Sequence, residues 1–178
     1  MLKLINIYKL YRKKAILKNV NLQLPDKGVF LIKGKNGSGK TTLFNIIAKT
    51  TSYKGKVINK KSMSYLFQHP QLLEYLTIKE HFELFKINTD ILEKVNLIGK
   101  LEEYPKTLSS GERQRIGLLL SIYSDVGLVL LDEPFSNIDK ENIKVFSDYI
   151  EKQGKQKLIL IISHDYNDMI NYDGCWKR

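Results

Sequence analysis

A glycine-rich loop between an apolar segment and a helical one constrains the fold of this chain more than any other feature. The loop reads Gly34-x-x-x-x-Gly39-Lys40-Thr41. Residues 29–33 before it have the apolar character of a strand, and residues 42–49 after it have one apolar helical face. Strand, glycine loop and helix in this order form the context that such a pattern requires. The sequence therefore predicts a strand–loop–helix unit of an α/β protein.

The residue types of this loop suit a triphosphate. Backbone N–H groups of a glycine-rich turn can point inward around phosphate oxygens, and the amino end of the next helix adds partial positive charge. We expect Lys40 to reach the β- and γ-phosphates and the Thr41 hydroxyl to coordinate Mg²⁺. The predicted ATP-binding residues of the loop are Asn36, Gly37, Ser38, Gly39, Lys40, Thr41 and Thr42.

Two carboxylates follow a second apolar segment. Residues 127–131 have the length and composition of a buried strand, and Asp132 and Glu133 come directly after it. Acids at the carboxyl end of a strand are placed beside the phosphate loop of an α/β fold. Asp132 suits Mg²⁺ through a water molecule. Glu133 suits the attacking water, as its general base or as its positioner.

Strand and helix signals alternate along the chain, which favours an α/β class. No repeat or low-complexity segment is visible, so we expect one domain over residues 1–178. Thr77-x-x-Glu80 has the spacing of a capping box, and residues 74–101 read as helical. The other expected strands are residues 2–7, 20–24, 56–59, 64–67 and 158–162, and the other expected helices are 112–124 and 139–152.

Composition indicates an ordinary globular protein, with 43% hydrophobic and 27% charged residues. No apolar run approaches the roughly 18 residues of a membrane span, and the first residues lack a signal-peptide pattern. Cys175 is the single cysteine, so an intrachain disulfide is excluded. Together these features predict a cytoplasmic protein.

The chain is basic, with 29 Lys and Arg against 19 Asp and Glu and a net charge of +10. A polyanion partner (nucleic acid, anionic lipid or nucleotide) is one interpretation. Solvated lysines in a Lys-, Ile- and Asn-rich composition are the other, and the scatter of the lysines favours it. We expect no nucleic-acid partner, although the excess suits a protein that works at an anionic membrane face.

A second motif supplies a family resemblance that covers nearly the whole chain. Residues 108–112, Leu-Ser-Ser-Gly-Glu, resemble the signature motif of the ATP-binding cassette (ABC) ATPases. Ser109-x-x-Glu112 is also a capping-box spacing, which predicts a helix from Ser110. In that family the signature contacts the γ-phosphate held by the opposite subunit. The resemblance therefore implies that Ser109, Ser110 and Gly111 bind ATP across a dimer.

Further motifs follow in the order of this family. Gln68 resembles the Q-loop glutamine, which touches Mg²⁺ and the attacking water. Residues 136–139 resemble the D-loop at the dimer interface. His164, within residues 162–165, resembles the switch histidine that reaches the γ-phosphate. Tyr11 stands where the family places an adenine-stacking aromatic, although Tyr8 and Tyr11 covering a sheet edge is an alternative.

The resemblance implies a P-loop NTPase core with a mixed sheet, a small antiparallel β-subdomain and a helical subdomain at about residues 70–125. The implied activity is Mg²⁺-dependent ATP hydrolysis by a short single-cassette form, with Glu133, His164, Gln68 and Lys40 as catalytic residues. Two positions depart from the usual motifs: Ser110 replaces a signature glycine, and residues 137–138 replace the usual Ala-Leu of the D-loop. The dimer partner is then either a second copy or a different cassette.

A membrane transporter is the main functional hypothesis. The chain would be its ATPase subunit, peripheral on the inner face of the cell membrane and bound to integral membrane permease subunits. The apolar residues 70–77, next to Gln68, are the expected docking surface; helical-subdomain core is the alternative for them. Residues 67–77 resemble cassettes of export and antimicrobial-peptide-resistance systems, which implies peptides or other antimicrobial compounds as cargo.

Two other functions compete with transport. A cassette ATPase that acts as a mechanochemical assembly module shares all of these motifs. A P-loop kinase of small molecules shares the loop but leaves the signature, Gln68 and His164 unexplained. His69 and His81 are expected to be surface residues.

Overall fold

The computed structural model describes residues 1–12, 14–163 and 171–177, which fold into two sheets and four α-helices. Three short 3-10 helices, Thr89–Val95, Ile98–Lys100 and Pro105–Thr107, lie between α2 and α3. In chain order the regular elements are β1 (Leu2–Tyr11), β2 (Lys14–Leu24), β3 (Gly28–Lys33), α1 (Lys40–Ile47), β4 (Lys54–Ile58), β5 (Met63–Leu66), α2 (Ile78–Leu84), α3 (Ser110–Tyr123), β6 (Leu128–Asp132), α4 (Lys140–Gly154), β7 (Leu158–Ile162) and β8 (Gly174–Lys177).

A five-stranded parallel sheet forms the centre, in the order β5-β6-β7-β3-β8. Every residue of β6 and β7 is buried, as expected for apolar strands covered on both faces. Because the strands are parallel, their carboxyl ends lie at one edge of the sheet. This edge receives the glycine loop after β3 and the two carboxylates after β6.

The central sheet separates two hydrophobic clusters, and the side chains of β6 alternate between them. Leu128 and Leu130 join the cluster that contains α1 and the inner face of the other sheet. Val129 and Leu131 join the cluster that contains α3 and α4. The same alternation places Asp132 on the α1 side, where the helix that follows the glycine loop begins.

The second sheet is antiparallel, in the order β2-β1-β4. Its inner residues Leu2, Leu4 and Ile7 are fully buried and pack in the cluster that holds α1. The pairing of β1 with both neighbours is irregular around Asn6, which has a φ of 49°. Parallel and antiparallel strands thus occur as predicted, but they form two separate sheets.

The segment between β5 and β6 is helical in short pieces. α2 begins with the predicted capping box, in which the Thr77 hydroxyl accepts from the Glu80 N–H and the Glu80 side chain accepts from the Thr77 N–H. Positive φ values at Lys86 (54°) and Asn96 (55°) interrupt the helical conformation. The predicted helical stretch of residues 74–101 is therefore one short α-helix followed by 3-10 turns.

Two features of the fold differ from the sequence-based expectation. β8, which pairs in parallel with β3, is not among the strands expected from the sequence. His81 is 1% exposed, so its prediction as a surface residue is wrong. None of the helices in the described part of the chain is long and apolar enough to cross a membrane.

Candidate nucleotide site

The glycine loop turns into α1 through two residues with positive φ. Gly37 (φ 74°) and Gly39 (φ 93°) adopt backbone conformations that glycine reaches without steric cost. Gly39 is the N-cap of α1, and no side chain caps this helix among the described residues. The first N–H groups of α1 therefore remain for a ligand, and the helix dipole favours an anion there.

Lys40 lies at the start of α1 and folds back over its own loop. Its side chain is 6% exposed, and Nζ donates hydrogen bonds to the carbonyl oxygens of Gly34 (2.8 Å) and Lys35 (3.3 Å). Burial lowers the pKa of Lys40, while the nearby Glu133 and Asp132 carboxylates oppose this shift. The loop thus holds a partly desolvated ammonium group in place, and a phosphate would favour its charged form.

The carboxylates lie at the end of β6, as predicted. Asp132 is 3% exposed, and it pairs in register with Ile162 of β7. The N–H of Glu133 donates to the Ile162 carbonyl oxygen at 2.8 Å, and Glu133 adopts a φ of 50°. A left-handed conformation at a residue other than glycine stores local strain, and such strain concentrates at functional sites.

Tyr65, which the sequence did not single out, interacts with Asp132. The Tyr65 hydroxyl of β5 donates to Asn45 Oδ1 of α1 at 3.1 Å. Burial, the charge of Asp132 and a hydrogen bond to it all raise the pKa of Tyr65. The Tyr65 ring also stacks on Phe67, next to Gln68, with ring centres 4.0 Å apart. Tyr65 therefore connects the carboxylate, α1 and the segment that carries Gln68.

One cavity of about 860 Å³ joins these groups, a volume suited to a nucleotide. Gln68 borders this cavity although it lies on a different segment from the loop and the carboxylates. Ten residues predicted to belong to the site line the cavity: Tyr11, Asn36, Gly37, Gly39, Lys40, Thr41, Thr42, Gln68, Asp132 and Glu133. Ile16, Ser136 and Ile162, which were not predicted to bind, complete the lining.

Ser38 and His164 are two further residues predicted to belong to the site. Ser38 is absent from the lining of the cavity, but its Oγ is buried and has no hydrogen-bond partner among the described residues. A buried hydroxyl without a partner in a phosphate loop fits a site that a ligand oxygen completes. His164 lies outside the described residues, so its predicted contact with the γ-phosphate stays a prediction.

Tyr11 borders the cavity at the end of β1, and its ring is 45% exposed. The Lys9 ammonium lies 4.6 Å from the centre of this ring, a cation–π contact. Lys9 itself is 6% exposed, and Nζ donates to Thr51 Oγ1 (2.8 Å) and to the Ser52 carbonyl oxygen (2.5 Å). A buried lysine tied to the turn after α1 thus holds one face of the ring.

The signature residues stand at the start of α3, outside this cavity. Ser109 is the N-cap, and its hydroxyl accepts from the Glu112 N–H at 3.3 Å while Glu112 Oε2 accepts from the Ser109 N–H at 2.8 Å. The predicted helix start at Ser110 is confirmed. Ser110 borders a separate cavity of about 310 Å³, which Gln68 and Asn137 also line.

A buried glutamine links α3 to the backbone of Glu133 and Pro134, directly after β6. Gln114 is 2% exposed, and Nε2 donates to the Pro134 carbonyl oxygen at 3.0 Å and to the Glu133 carbonyl oxygen at 3.4 Å. The backbone that carries Glu133 is thus held by β7 on one side and by α3 on the other.

These motifs match a known family model. The model described as "ABC transporter" matches residues 17–136, which is more than half of the chain. The chain belongs to the ABC transporter family. It is an ABC ATPase, which binds and hydrolyses ATP and serves transporters as their ATP-binding subunit. The cavity of about 860 Å³ described above is its candidate ATP-binding site, called the ATP cavity below.

Two curated relatives agree with this assignment. The chain is 30% identical to the lipoprotein-releasing system ATP-binding protein LolD of Buchnera aphidicola subsp. Schizaphis graminum, over 93% of this chain and 88% of the relative. It is also 30% identical to the taurine import ATP-binding protein TauB of Escherichia coli O157:H7, over 96% of this chain and 76% of the relative.

A solved structure shares the fold of this ABC ATPase. It is a dimer of the ATP-binding cassette MJ0796 in a post-hydrolysis state, bound to ADP and phosphate. The TM-score is 0.74 at 24% identity, over 94% of this chain and 89% of the other. The likeness supports the predicted fold class, a P-loop NTPase core with an antiparallel β-subdomain and a helical insert.

The oxygen donors at the carboxyl edge fit Mg²⁺. No group of three or more His, Cys, Asp or Glu side chains that could hold a metal occurs within residues 1–12, 14–163 and 171–177. Mg²⁺ in nucleotide sites is held by few protein oxygens and completed by phosphate and water. The hydroxyl of Thr41, the amide of Gln68 and the carboxylate of Asp132 all border the ATP cavity and supply such oxygens.

Proposed function

We propose that this ABC ATPase powers a membrane transporter by closing as a dimer around two ATP molecules. The observation that carries the proposal is the separation of two half-sites within one chain. The glycine loop, Gln68 and both carboxylates share the ATP cavity, whereas the signature residues lie outside it. We call α3 the signature helix because the signature residues stand at its start. A second cassette would close the cavity with its own signature helix and so complete the site.

Each predicted residue has a role in the proposed cycle. Lys40 and the N–H groups of the loop bind the β- and γ-phosphates, and Tyr11 stacks on the adenine. Gln68 and Glu133 hold the attacking water, and Glu133 accepts its proton as the bond between the γ-phosphorus and the β-phosphate oxygen breaks. His164 contacts the γ-phosphate. Mg²⁺, held by Thr41, Gln68 and Asp132, would neutralise charge on the phosphates.

The signature residues of one subunit act on the ATP of the other. Ser109 caps α3, and Ser110 and Gly111 begin it. The N–H groups of Ser110 and Gly111 and the positive end of the helix dipole would face the γ-phosphate. Either a second copy of this chain or a different cassette supplies the partner. Ser110 suits this role because a serine at the first helical turn leaves the backbone N–H groups accessible.

The transport machinery docks, in this proposal, on residues 70–77, which we call the docking segment. Tyr75 (73% exposed) and Leu73 (38% exposed) present apolar surface there. Leu73 also borders a cavity of about 290 Å³, whose apolar lining includes Leu66 of β5, Phe85 after α2 and Leu120 of α3. A cytoplasmic segment of a membrane permease subunit is the proposed occupant. Leu72 packs against the core, so part of the segment is structural.

The docking segment is tied directly to the signature helix. Arg113 of α3 forms a salt bridge with Glu74 and donates to the Pro105 carbonyl oxygen at 2.8 Å. A Cβ on Gly117 of α3 would lie 2.7 Å from Pro70 Cβ. Closure of α3 over ATP therefore moves the docking segment with it, which gives hydrolysis a mechanical route to the permease.

His81 fixes the shape of this segment. Its Nε2 accepts from the Leu73 N–H at 3.0 Å, so the ring proton is on Nδ1, which donates to the Thr77 carbonyl oxygen at 2.8 Å. A neutral, buried histidine thus clamps the middle of the docking segment to the first turn of α2. We propose His81 as a positioning residue for the permease contact.

The proposed location is the inner face of the cell membrane, in contact with integral permease subunits. By their names, LolD serves lipoprotein release and TauB serves taurine import. The likeness of residues 67–77 to export cassettes supports export of peptides or other antimicrobial compounds as the proposed cargo. An assembly module without a permease is the competing function, and no nucleic-acid partner is proposed.

Purification from the native host tests the transporter proposal. A tagged chain should copurify with an integral membrane protein after detergent extraction, and a Leu73→Asp/Tyr75→Asp variant should lose that protein. A matched variant, Tyr104→Asp, changes an exposed aromatic (42% exposed) outside the docking segment and should keep it. Recovery of the wild-type chain with soluble assembly factors alone would contradict transport and support the assembly module.

A further inference from the structure

The net positive charge of this protein comes entirely from its first 73 residues. This part carries 15 Lys and Arg and a single acidic residue, Asp26, whereas residues 74–178 carry 14 Lys and Arg and 18 Asp and Glu. Asp26 is neutralised by the amino group of Met1 and by Lys61. A lysine-rich composition explains abundant lysines, but it does not explain the near absence of acids.

Three of these lysines, Lys3, Lys54 and Lys56, lie on the outer face of the antiparallel sheet. Lys54 stands opposite Tyr8 and Lys56 opposite Ile5 in the β1–β4 register, and Lys3 stands opposite Ile58. Because paired residues of an antiparallel sheet share a face, and Leu4 and Ile7 point inward, these side chains point outward. None of β1, β2 and β4 contains an Asp or Glu.

The lysines of this face are uncompensated. Lys54 and Lys56 are exposed, and Lys3 is partly exposed. Among the described residues no carboxylate forms a salt bridge with any of the three. They also lie outside the lining of the ATP cavity, so binding of the nucleotide does not account for them.

Apolar side chains stand among the lysines. Tyr8 is 43% exposed and Leu10 is 57% exposed, and both project from β1 on the outer face. Tyrosine and lysine are amphipathic side chains that suit the boundary between lipid headgroups and acyl chains. Lysine also binds an anionic surface without the fixed geometry through which arginine recognises individual phosphates.

From these observations we infer that the outer face of the β2-β1-β4 sheet binds the surface of an anionic lipid bilayer. Lys3, Lys54 and Lys56 attract the headgroups, and Tyr8 and Leu10 enter the headgroup region. This contact would hold the ATPase flat against the membrane independently of any permease. The inference stands on this surface alone, so its failure is distinguishable from failure of the docking proposal.

Vesicle cosedimentation tests the inference. The full chain without nucleotide is mixed with vesicles of phosphatidylcholine alone or with 30% phosphatidylglycerol, at about 0.1 M and about 0.5 M salt. Binding is expected only to the anionic vesicles and only at the lower salt. Since one lysine near such a surface contributes about fivefold, Lys3→Gln/Lys54→Gln/Lys56→Gln should weaken binding about 100-fold.

A charge-matched control removes the ambiguity of net charge. Lys144→Gln/Lys152→Gln/Lys155→Gln changes three exposed lysines in or next to α4, which packs in the hydrophobic cluster on the opposite face of the central sheet. This variant should bind the vesicles like the wild type. Equal weakening in both triple variants would contradict the inference, because general attraction would then suffice. Absence of binding to anionic vesicles, or preferential binding of an RNA oligonucleotide by the same face, would also overturn it. Both variants should keep the wild-type melting temperature.

Discussion

The start of α3 touches the loop that follows Glu133: a Cβ on Gly111 would stand 2.7 Å from the Asn137 carbonyl oxygen. Asn137 has a φ of 60°, which turns this carbonyl toward the start of α3. The contact joins the two motifs that meet the partner subunit in the proposed dimer. It is available only to glycine, because any side chain must displace the backbone of one of the two segments.

Substitution of Gly111 should therefore separate dimer formation from ATP binding. We expect Gly111→Ala to bind ATP within about twofold of the wild type, because the glycine loop is untouched, and to lose ATP-dependent dimerisation at least about tenfold, the equivalent of 1.4 kcal/mol. Equilibrium dialysis and analytical ultracentrifugation measure the two quantities. Gly99→Ala is the matched control, since a Cβ there meets open space. Equal loss of dimer in both variants would refute the role of the Gly111 contact.

The contact of Lys9 with Tyr11 predicts a base-specific effect. Aromatic stacking contributes about 1–3 kcal/mol per base, so Tyr11→Ala should weaken ATP binding about 5- to 150-fold while leaving the binding of inorganic tripolyphosphate unaffected. Lys9→Met should weaken ATP binding less, and it should add nothing in the Tyr11→Ala background if Lys9 acts through the ring. Titration calorimetry of both ligands tests this, and full additivity of the two substitutions would contradict it.

His81→Phe should loosen the docking segment. The substitution keeps a ring in the buried position but leaves the Leu73 N–H without its partner, which costs about 1–3 kcal/mol. The Thr77 carbonyl oxygen loses the imidazole but keeps the backbone N–H of residue 81. We expect a lower urea midpoint and faster hydrogen exchange at Leu73, with ATP affinity unchanged. His69→Phe, at an exposed histidine next to the same segment, should change neither. Wild-type exchange at Leu73 in His81→Phe would show that the histidine is only filling space.

Acid should weaken the fold through two helix caps. The Ser109 N–H lowers the pKa of Glu112, and the Asn142 N–H lowers the pKa of Asp139. The folded state then binds fewer protons than the unfolded state, so this stability is present above the unfolded pKa values of about 4 and is lost as pH falls below them. Urea unfolding between pH 7 and pH 3 measures the loss. Glu112→Gln keeps a hydrogen-bond acceptor at this cap, so its stability should fall less steeply with acid. A wild-type slope in that variant would exclude Glu112 as a contributor.

The local elements of the site could be predicted because each has a local cause. The glycine loop, the capping boxes at Thr77 and Ser109, and the buried strands β6 and β7 depend on residues close in sequence. Parallel strand order then brings Asp132, Glu133 and the loop to one edge. Gln68 and Tyr11 needed the family resemblance, because no local pattern places them beside the loop.

What the sequence did not reveal depends on long-range packing. Lys9 and His81 are polar residues that become buried only because backbone carbonyl and N–H groups from other segments meet them. The link from Tyr65 to Asn45 and Asp132 joins three elements that are far apart in the chain. β8 is a four-residue edge strand whose pairing with β3 has no signature of its own. The acid-free outer face became visible only when the register of the antiparallel sheet assigned its lysines to one side.

The central claim is that hydrolysis requires two cassettes closed around ATP, and the dimer state of Glu133→Gln tests it most directly. Loss of the general base should slow ATP turnover at least about 100-fold while leaving both half-sites able to bind. Light scattering in ATP and Mg²⁺ should therefore show a stable dimer for Glu133→Gln and a monomer when Lys40→Met is added, which removes the phosphate contact. If this chain pairs only with a different cassette, that dimer forms upon addition of the other subunit. Undiminished turnover, or a Glu133→Gln protein that stays monomeric with ATP and every cassette of its host, would contradict the account.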